Sequence, residues 1–309
     1  MLEHFAECIK RSEKMSKGAR QEAIQVNVYT AMLLALRTLA ELKSSLGQEA
    51  VKNITTDLII NGLSANSATV RAAAASCAGR LCGCITEAES QALSEKVIAL
   101  ARTAVNRSVR AAAAAAVGAV QRARGATSSA AALPVLRALA QDTASVELQV
   151  WSIHALSVLA DASGPMFRSH VDSTLNLALK LLFSAPPFQE DLHRSIGRLL
   201  SALITVVGPE LQVVAVGRFV CACAALREGA GGGARAESAG CVQQLQMFAP
   251  RHISLHHLVP HLCRDLSSPE LTVRRAALCC LRQLSQKEAT EVCRHAMLAR
   301  DHVPAKPYC

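Results

Sequence analysis

The sequence predicts an all-α chain, a right-handed α-solenoid of about seven helical hairpins, and three observations carry that prediction. The first is an internal repeat. Residues 66–81 and 106–120 both read Val-Arg followed by a run of alanines, with Arg71 and Arg110 standing 39 residues apart. A further 39 residues lead to Gln149 in Val146-Glu147-Leu148-Gln149-Val150-Trp151, and the Val-Arg-x-Ala-Ala core returns at Val273-Arg274. Self-similarity at a fixed period marks stacked supersecondary units, and a spacing near forty residues matches HEAT-type hairpins better than the shorter tetratricopeptide or ankyrin units. The second observation is composition: 51% of the 309 residues are hydrophobic, yet only 3% are aromatic and one is tryptophan. Such a core is built from Ala, Leu, Val and Ile, which suits helices that stack closely. The third is the lack of period-2 alternation or hairpin-turn signals that would support strands.

The elements follow in order as a single array spanning 1–299. Hairpin one, 1–45, opens on a stripe of Leu2, Phe5, Ala6 and Ile9, and the run 19–42 places Ile24, Val28 and Leu36 at helical spacing. Hairpin two, 48–85, turns Val51, Ile54, Leu58 and Ile59 inward and caps its second helix at Asn66 or Ser67. Hairpin three, 88–124, carries Leu93, Val97 and Ile98 and returns as the alanine-rich repeat. Hairpin four, 126–162, admits Pro134 in the first turn of its first helix, and Asp142 or Thr143 leads into its second. Gly164-Pro165 stops one helix and starts the next, so hairpin five, 165–207, begins its first helix at Met166. It turns at Pro186-Pro187 and returns with Leu192, Ile196, Leu199, Leu200 and Leu203 on one face. Gly208-Pro209 repeats that device for hairpin six, 209–249, whose glycine-rich stretch is expected to be a flexible loop over 229–240. Hairpin seven, 250–286, turns at Ser267-Ser268-Pro269. A terminal helix over 288–298 then precedes an irregular tail over 300–309.

Charge and cysteine content narrow the class. The formal charge is +9, but Lys10, Arg11, Lys14, Lys17 and Arg20 alternate with Glu7, Glu13 and Glu22 as a mixed solvated face. No basic cluster is interleaved with aromatics that could stack bases, so nucleic acid is not an expected partner. Twelve cysteines are too few for a disulfide scaffold of this length. Cys77, Cys221, Cys279 and Cys280 lie in apolar runs and read as buried, reduced thiols of a cytosolic protein. The N-terminus has no signal-peptide core, and the apolar window 199–216 is broken by Gly208, Pro209 and Glu210, so any membrane association is expected to be indirect. Asn53 and Asn106 match the glycosylation acceptor, and without an export signal both are chance matches.

The residues that could carry chemistry form no convincing constellation, so no catalytic, cofactor-binding or metal-ligating residue is assigned and the chain does not read as an enzyme. His257, His261 and Cys263 could reach one metal by spacing alone, but Pro260 interrupts their register and no carboxylate stands at a matching position. Cys82 with Cys84, and Cys221 with Cys223, lack the two-residue spacer and second pair of a zinc site. Cys293 and His295 do not face each other on a helix. Arg71, Arg110 and Arg274 could line a binding groove. Their recurrence in every clear repeat instead favours a structural role, with the stem over the seam between helices and the guanidinium bonded to a turn carbonyl or an acid. Trp151 is read as a wedge in the core, which leaves the partner-binding residues unknown.

Specific strings add a resemblance. The run from Val146-Glu147-Leu148-Gln149-Val150-Trp151 through Asp161-Ala162-Ser163-Gly164-Pro165-Met166 is similar to the HEAT repeat-containing protein 5 family. So are Val207-Gly208-Pro209-Glu210-Leu211-Gln212, Gln243-Gln244-Leu245-Gln246-Met247-Phe248-Ala249-Pro250-Arg251-His252 and the stretch from Arg274-Arg275-Ala276-Ala277 to Cys280-Leu281-Arg282-Gln283-Leu284. The opening His4-Phe5-Ala6-Glu7-Cys8-Ile9-Lys10 resembles that family too, so the likeness covers most of the chain. It implies an internal portion of a long cytosolic solenoid that acts as a scaffold in clathrin-adaptor-dependent traffic between the trans-Golgi network and endosomes. The implied partners are clathrin-adaptor or accessory proteins, and the implied location is cytoplasmic, peripheral at those membranes. The resemblance assigns no binding residue to a position here. The competing reading, suggested by the net charge, is a karyopherin-like carrier or a basic nucleic-acid-binding HEAT scaffold.

Overall fold

The computed structural model describes residues 2–14, 18–47, 49–125, 129–211, 213–229 and 231–300, and the expected tail lies beyond them from residue 301 onward. All regular structure among the described residues is helical, and successive helices pair as the hairpins of an α-solenoid. The chain forms two compact units, Met1–Met166 and Phe167–Cys309.

The first unit holds four hairpins: α1 (Leu2–Glu13) with α2 (Ala19–Glu41), α3 (Glu49–Leu63) with α4 (Ala68–Leu81), α5 (Glu87–Thr103) with α6 (Arg107–Arg124), and α7 (Ser129–Ala140) with α8 (Val146–Ser163). Short polar side chains set where these helices begin. Ser67 accepts the amide of Val70, Asn106 that of Ser108, and Ser145 that of Leu148, so the amides left open at each first turn find acceptors. The cap of α8 is thus Ser145, beyond the expected Asp142 or Thr143. Thr86 and Glu89 form a reciprocal capping box at the start of α5. Gly125, at φ 71°, closes α6 in a conformation that costs a residue with a side chain far more. Pro134 lies inside α7 and not in its first turn.

The second helices of this unit stack in series, α2 on α4, α4 on α6 and α6 on α8. Small residues let them approach. A methyl group on Gly79 would stand 2.8 Å from the carbonyl oxygen of Ala119, and one on Gly118 would stand 3.1 Å from Cα of Ala155. Val70, Val109 and Leu148 are buried, as are Ala74, Ala78, Ala113 and Ala116, so the repeated sequence core is also the repeated packing core. By length and apolarity α2 would be able to cross a membrane. Here it lies against α1 and α4, and the Tyr29 hydroxyl donates to the carbonyl of Leu58 at 2.6 Å.

The second unit holds α9 (Val171–Ser184) with α10 (Glu190–Val207), α11 (Val213–Gly229) with α12 (Gly232–Phe248), and α13 (Leu255–Asp265) with α14 (Leu271–Arg300). Each first helix is preceded by a tighter 3₁₀ segment, Gly164–His170, Gly208–Glu210 or Pro250–His252. The α-helices therefore start later than expected, at Val171 and Val213 instead of Met166 and Glu210. Gly164 and Gly208 have φ of 50° and 53°, which ends the preceding helix, and the proline that follows sets a new direction.

One expectation is overturned here. The glycine-rich stretch 229–240 is helical from Gly232 onward. Tertiary contacts override the poor helix propensity of glycine: the Gly233 amide donates to Glu190 Oε1 at 2.9 Å, Arg235 pairs with Glu270, and Ala234 and Ala239 are buried. α14 bends at Glu288, where φ is −135° and ψ 54°. The expected terminal helix is thus the continuation of α14 beyond a bend. Leu258, Val259, Leu262, Ala277, Cys280, Leu284 and Val292 form the core that joins α13 to both halves of α14.

Candidate functional site

The repeated arginines stand at the elbows of their hairpins. Arg71 Nη1 donates to the carbonyls of Ala65 and Asn66 at 3.0 and 2.8 Å, and the side chain is buried. Arg274 Nη1 makes the same pair of bonds, to Ser268 at 2.7 Å and Pro269 at 2.8 Å. Arg110 Nε reaches the carbonyl of Ala101 at 3.3 Å, and its Nη1 lies 3.6 Å from Asp142. Gln149, one repeat further on, donates to the carbonyl of Ala140 at 3.1 Å. These four side chains satisfy carbonyls at or just beyond the end of a first helix, where the helix leaves acceptors open and its dipole favours a cation.

Trp151 departs from expectation. It is no core wedge: 38% of it is exposed. The α8 residues Leu148, Ser152, Ile153, Ala155, Leu156 and Leu159 are buried, whereas Glu147, Trp151, His154 and Val158 recur every three or four residues on another face and line a groove. The ring of Trp151 meets that of His154 edge to face, with centroids 5.7 Å apart and planes at 78°. Counting back one repeat period puts Ala112 where Trp151 stands, so this face carries small residues in the neighbouring hairpin and an indole in this one.

The groove on this face encloses about 500 Å³. Ala72, Ala75, Ala112, Ala115 and Ala119 from α4 and α6 form its floor, and Trp151, His154 and Val158 form one wall. At one end Glu147 accepts from Ser108 Oγ at 3.1 Å and approaches Arg71 at 3.9 Å. At the other stands Arg122, exposed and without a hydrogen bond or ion pair among the described residues. Partial burial raises the pKa of the Asp161 carboxyl on the last turns of α8, and the Arg122 charge draws it back. A wider hollow of about 860 Å³, beside Gln25, Tyr29 and Asn66, adjoins residues outside the described set.

The histidines and cysteines do not assemble a reactive centre. Among the described residues no three His, Cys, Asp or Glu side chains come together as metal ligands. His261 is hydrogen-bonded to Arg264, and partial burial, then the charges of Arg227 and Arg264, lower its pKa. His256 stacks edge-on against His257 and His295, with centroids 5.0 and 5.3 Å apart. Burial pushes the Cys77 and Cys280 thiols up to about 12, and it raises Cys263 too, which keeps them protonated and poorly nucleophilic. Contact with Cys223, followed by burial, raises Cys241. Cys221 and Cys279, expected to be buried, are exposed, because neighbours one residue apart on a helix point about 100° away from each other.

No family model matches the chain. Over 152 residues it is 34% identical to Protein SWEETIE of Arabidopsis thaliana, an alignment covering 48% of this chain and 7% of that protein. The chain thus spans a small fraction of the length of this relative. Among solved structures it is similar to a chain in a homology model of the full-length AP-3 complex in an intermediate open conformation. That TM-score is 0.65 at 13% identity, covering 96% of this chain and 46% of the other. It is also similar to importin beta, with a TM-score of 0.58 at 12% identity, over 98% of this chain and 38% of the other. At such identities the likeness is one of fold, and it is to helical solenoids in both cases.

Proposed function

We propose that this chain is a segment of a long helical scaffold of the HEAT repeat-containing protein 5 kind, one that docks protein partners and performs no chemistry of its own. The observation that carries the reading is the groove across α4, α6 and α8. Its alanine floor follows from the repeat, while Trp151 and Arg122 break the repeat, and a surface that differs from its neighbours is what selectivity requires. Tryptophan and arginine are also the side chains that most often anchor protein interfaces. We further infer that the partners belong to clathrin-adaptor-dependent traffic between the trans-Golgi network and endosomes, met from the cytoplasmic side as adaptor subunits or their accessory proteins. The sequence strings around Trp151 and Met247 support this, and so does a solenoid fold shared with a chain of the AP-3 complex.

Proximity labelling in cells, with the labelling enzyme fused to the protein that contains this chain, tests the assignment. Enrichment of clathrin-adaptor components over a cytosolic control is the expected result. A labelled set without adaptor or cargo proteins removes the trafficking role, and a set dominated by nuclear-import cargo replaces it with a carrier role.

A further inference from the structure

The groove in the first unit has a chemical polarity that specifies its occupant. We propose that it takes a peptide segment of a partner in which an apolar side chain adjoins a cluster of carboxylates, the apolar group seated on Trp151 and the carboxylates at the Arg122 end. This rests on the docking role proposed above and names the chemistry that the site selects.

Three features carry the inference. The Arg122 side chain makes no hydrogen bond or ion pair among the described residues. The Arg122 guanidinium stands at that end, and Asp161, on which its charge acts, forms no ion pair with it among the described residues. An incoming carboxylate gains a charge-assisted bond there without displacing a partner. The opposite end is closed by Glu147, already engaged by Ser108 and Arg71, and it repels acid, so the peptide has one favoured direction. Between the ends, alanines leave room for a backbone to lie close, and about 500 Å³ beside the indole accommodates an apolar side chain with its flanking main chain.

Because Trp151 is the one tryptophan in the sequence, intrinsic fluorescence reads this groove directly. The purified chain is titrated with the synthetic peptide Ser-Asp-Glu-Asp-Ser-Ile-Gly-Ser and with its amide twin Ser-Asn-Gln-Asn-Ser-Ile-Gly-Ser. The acidic peptide is expected to change the emission saturably and to bind roughly tenfold more tightly than the twin, with Arg122→Gln abolishing that preference and Arg122→Lys keeping part of it. For Trp151→Ala, anisotropy of a labelled acidic peptide replaces the lost emission, and a loss of about tenfold or more in affinity is expected. Equal binding of both peptides, no response to either, or an unchanged preference in Arg122→Gln overturns the proposal. Adaptor partners recovered by proximity labelling while both peptides fail would leave the docking role standing and remove this occupant. Peptide binding with no adaptor recovered would keep the groove's selectivity and remove the trafficking role.

Discussion

Arg71 and Arg80 lie three helical turns of α4 apart at most, and packing gives them opposite tasks. Arg71 is 7% exposed and holds two elbow carbonyls, whereas the Arg80 side chain is exposed and makes no hydrogen bond or ion pair among the described residues. Replacing Arg71 with Met keeps the apolar stem and strands both carbonyls, so Arg71→Met is expected to destabilise the chain by about 1–3 kcal/mol, against less than about 0.5 kcal/mol for Arg80→Ala. Urea unfolding followed by far-UV circular dichroism measures both, and a smaller loss for Arg71→Met than for Arg80→Ala would contradict the elbow role. Val-Arg-x-Ala-Ala already pointed to a guanidinium near a turn carbonyl, because the motif follows each elbow at a constant distance. Trp151 was not legible in that way. It stands between apolar Val150 and small, polar Ser152, a pattern from which hydropathy cannot say which of two faces roughly 100° apart it occupies, and only the stacking of α8 on α6 settles it.

At the scale of the element, helix boundaries follow from capping side chains and from glycine at positive φ, while helix contacts follow from what is missing. Gly79 is a helix-interior glycine, unfavourable by propensity, and its place on the α4 surface against Ala119 accounts for it. Valine there would drive branched carbons into the Ala119 backbone and push α4 from α6. Gly79→Val is expected to cost about 1–3 kcal/mol from overpacking, beyond any gain in propensity. A thermal midpoint equal to or above that of the parent chain would show that the two helices do not meet there. The same principle works in reverse at Gly232 and Gly233. A run of glycines reads as loop because local propensity is all that a window of sequence can weigh, yet the contacts of α12 with α10 and α14, and the Glu190 carboxylate on the Gly233 amide, make it a helix. The 3₁₀ segments before α9, α11 and α13 were likewise beyond reach, since Gly-Pro announces a break without saying how many residues the break takes.

Within each unit of the molecule, ion pairs tie successive hairpins together: Lys52–Glu89 in the first, Arg198–Glu237 and Arg227–Asp265 in the second. Their partners stand 37, 39 and 38 residues apart, close to the repeat period. Each keeps some access to solvent, so each contributes modestly, and apolar stacking within each unit carries more of the stability. Raising NaCl from low concentration to about 1 M is therefore expected to move the thermal midpoint by less than roughly 5 °C. A larger fall would mean that the ladder of charges, and not the Ala-Leu-Val core, dominates. What the sequence by itself determined is the all-α class, the count and order of hairpins and the residues at each elbow, because a 39-residue period and helical spacing are local properties written along one dimension. Only the tertiary structure decided that the chain forms two compact units, that 232–248 is helix, and that Trp151 faces a groove beside Arg122. Each of these depends on which surfaces of distant segments meet, and that is a balance of packing and hydration between residues about forty positions apart, which no local window contains.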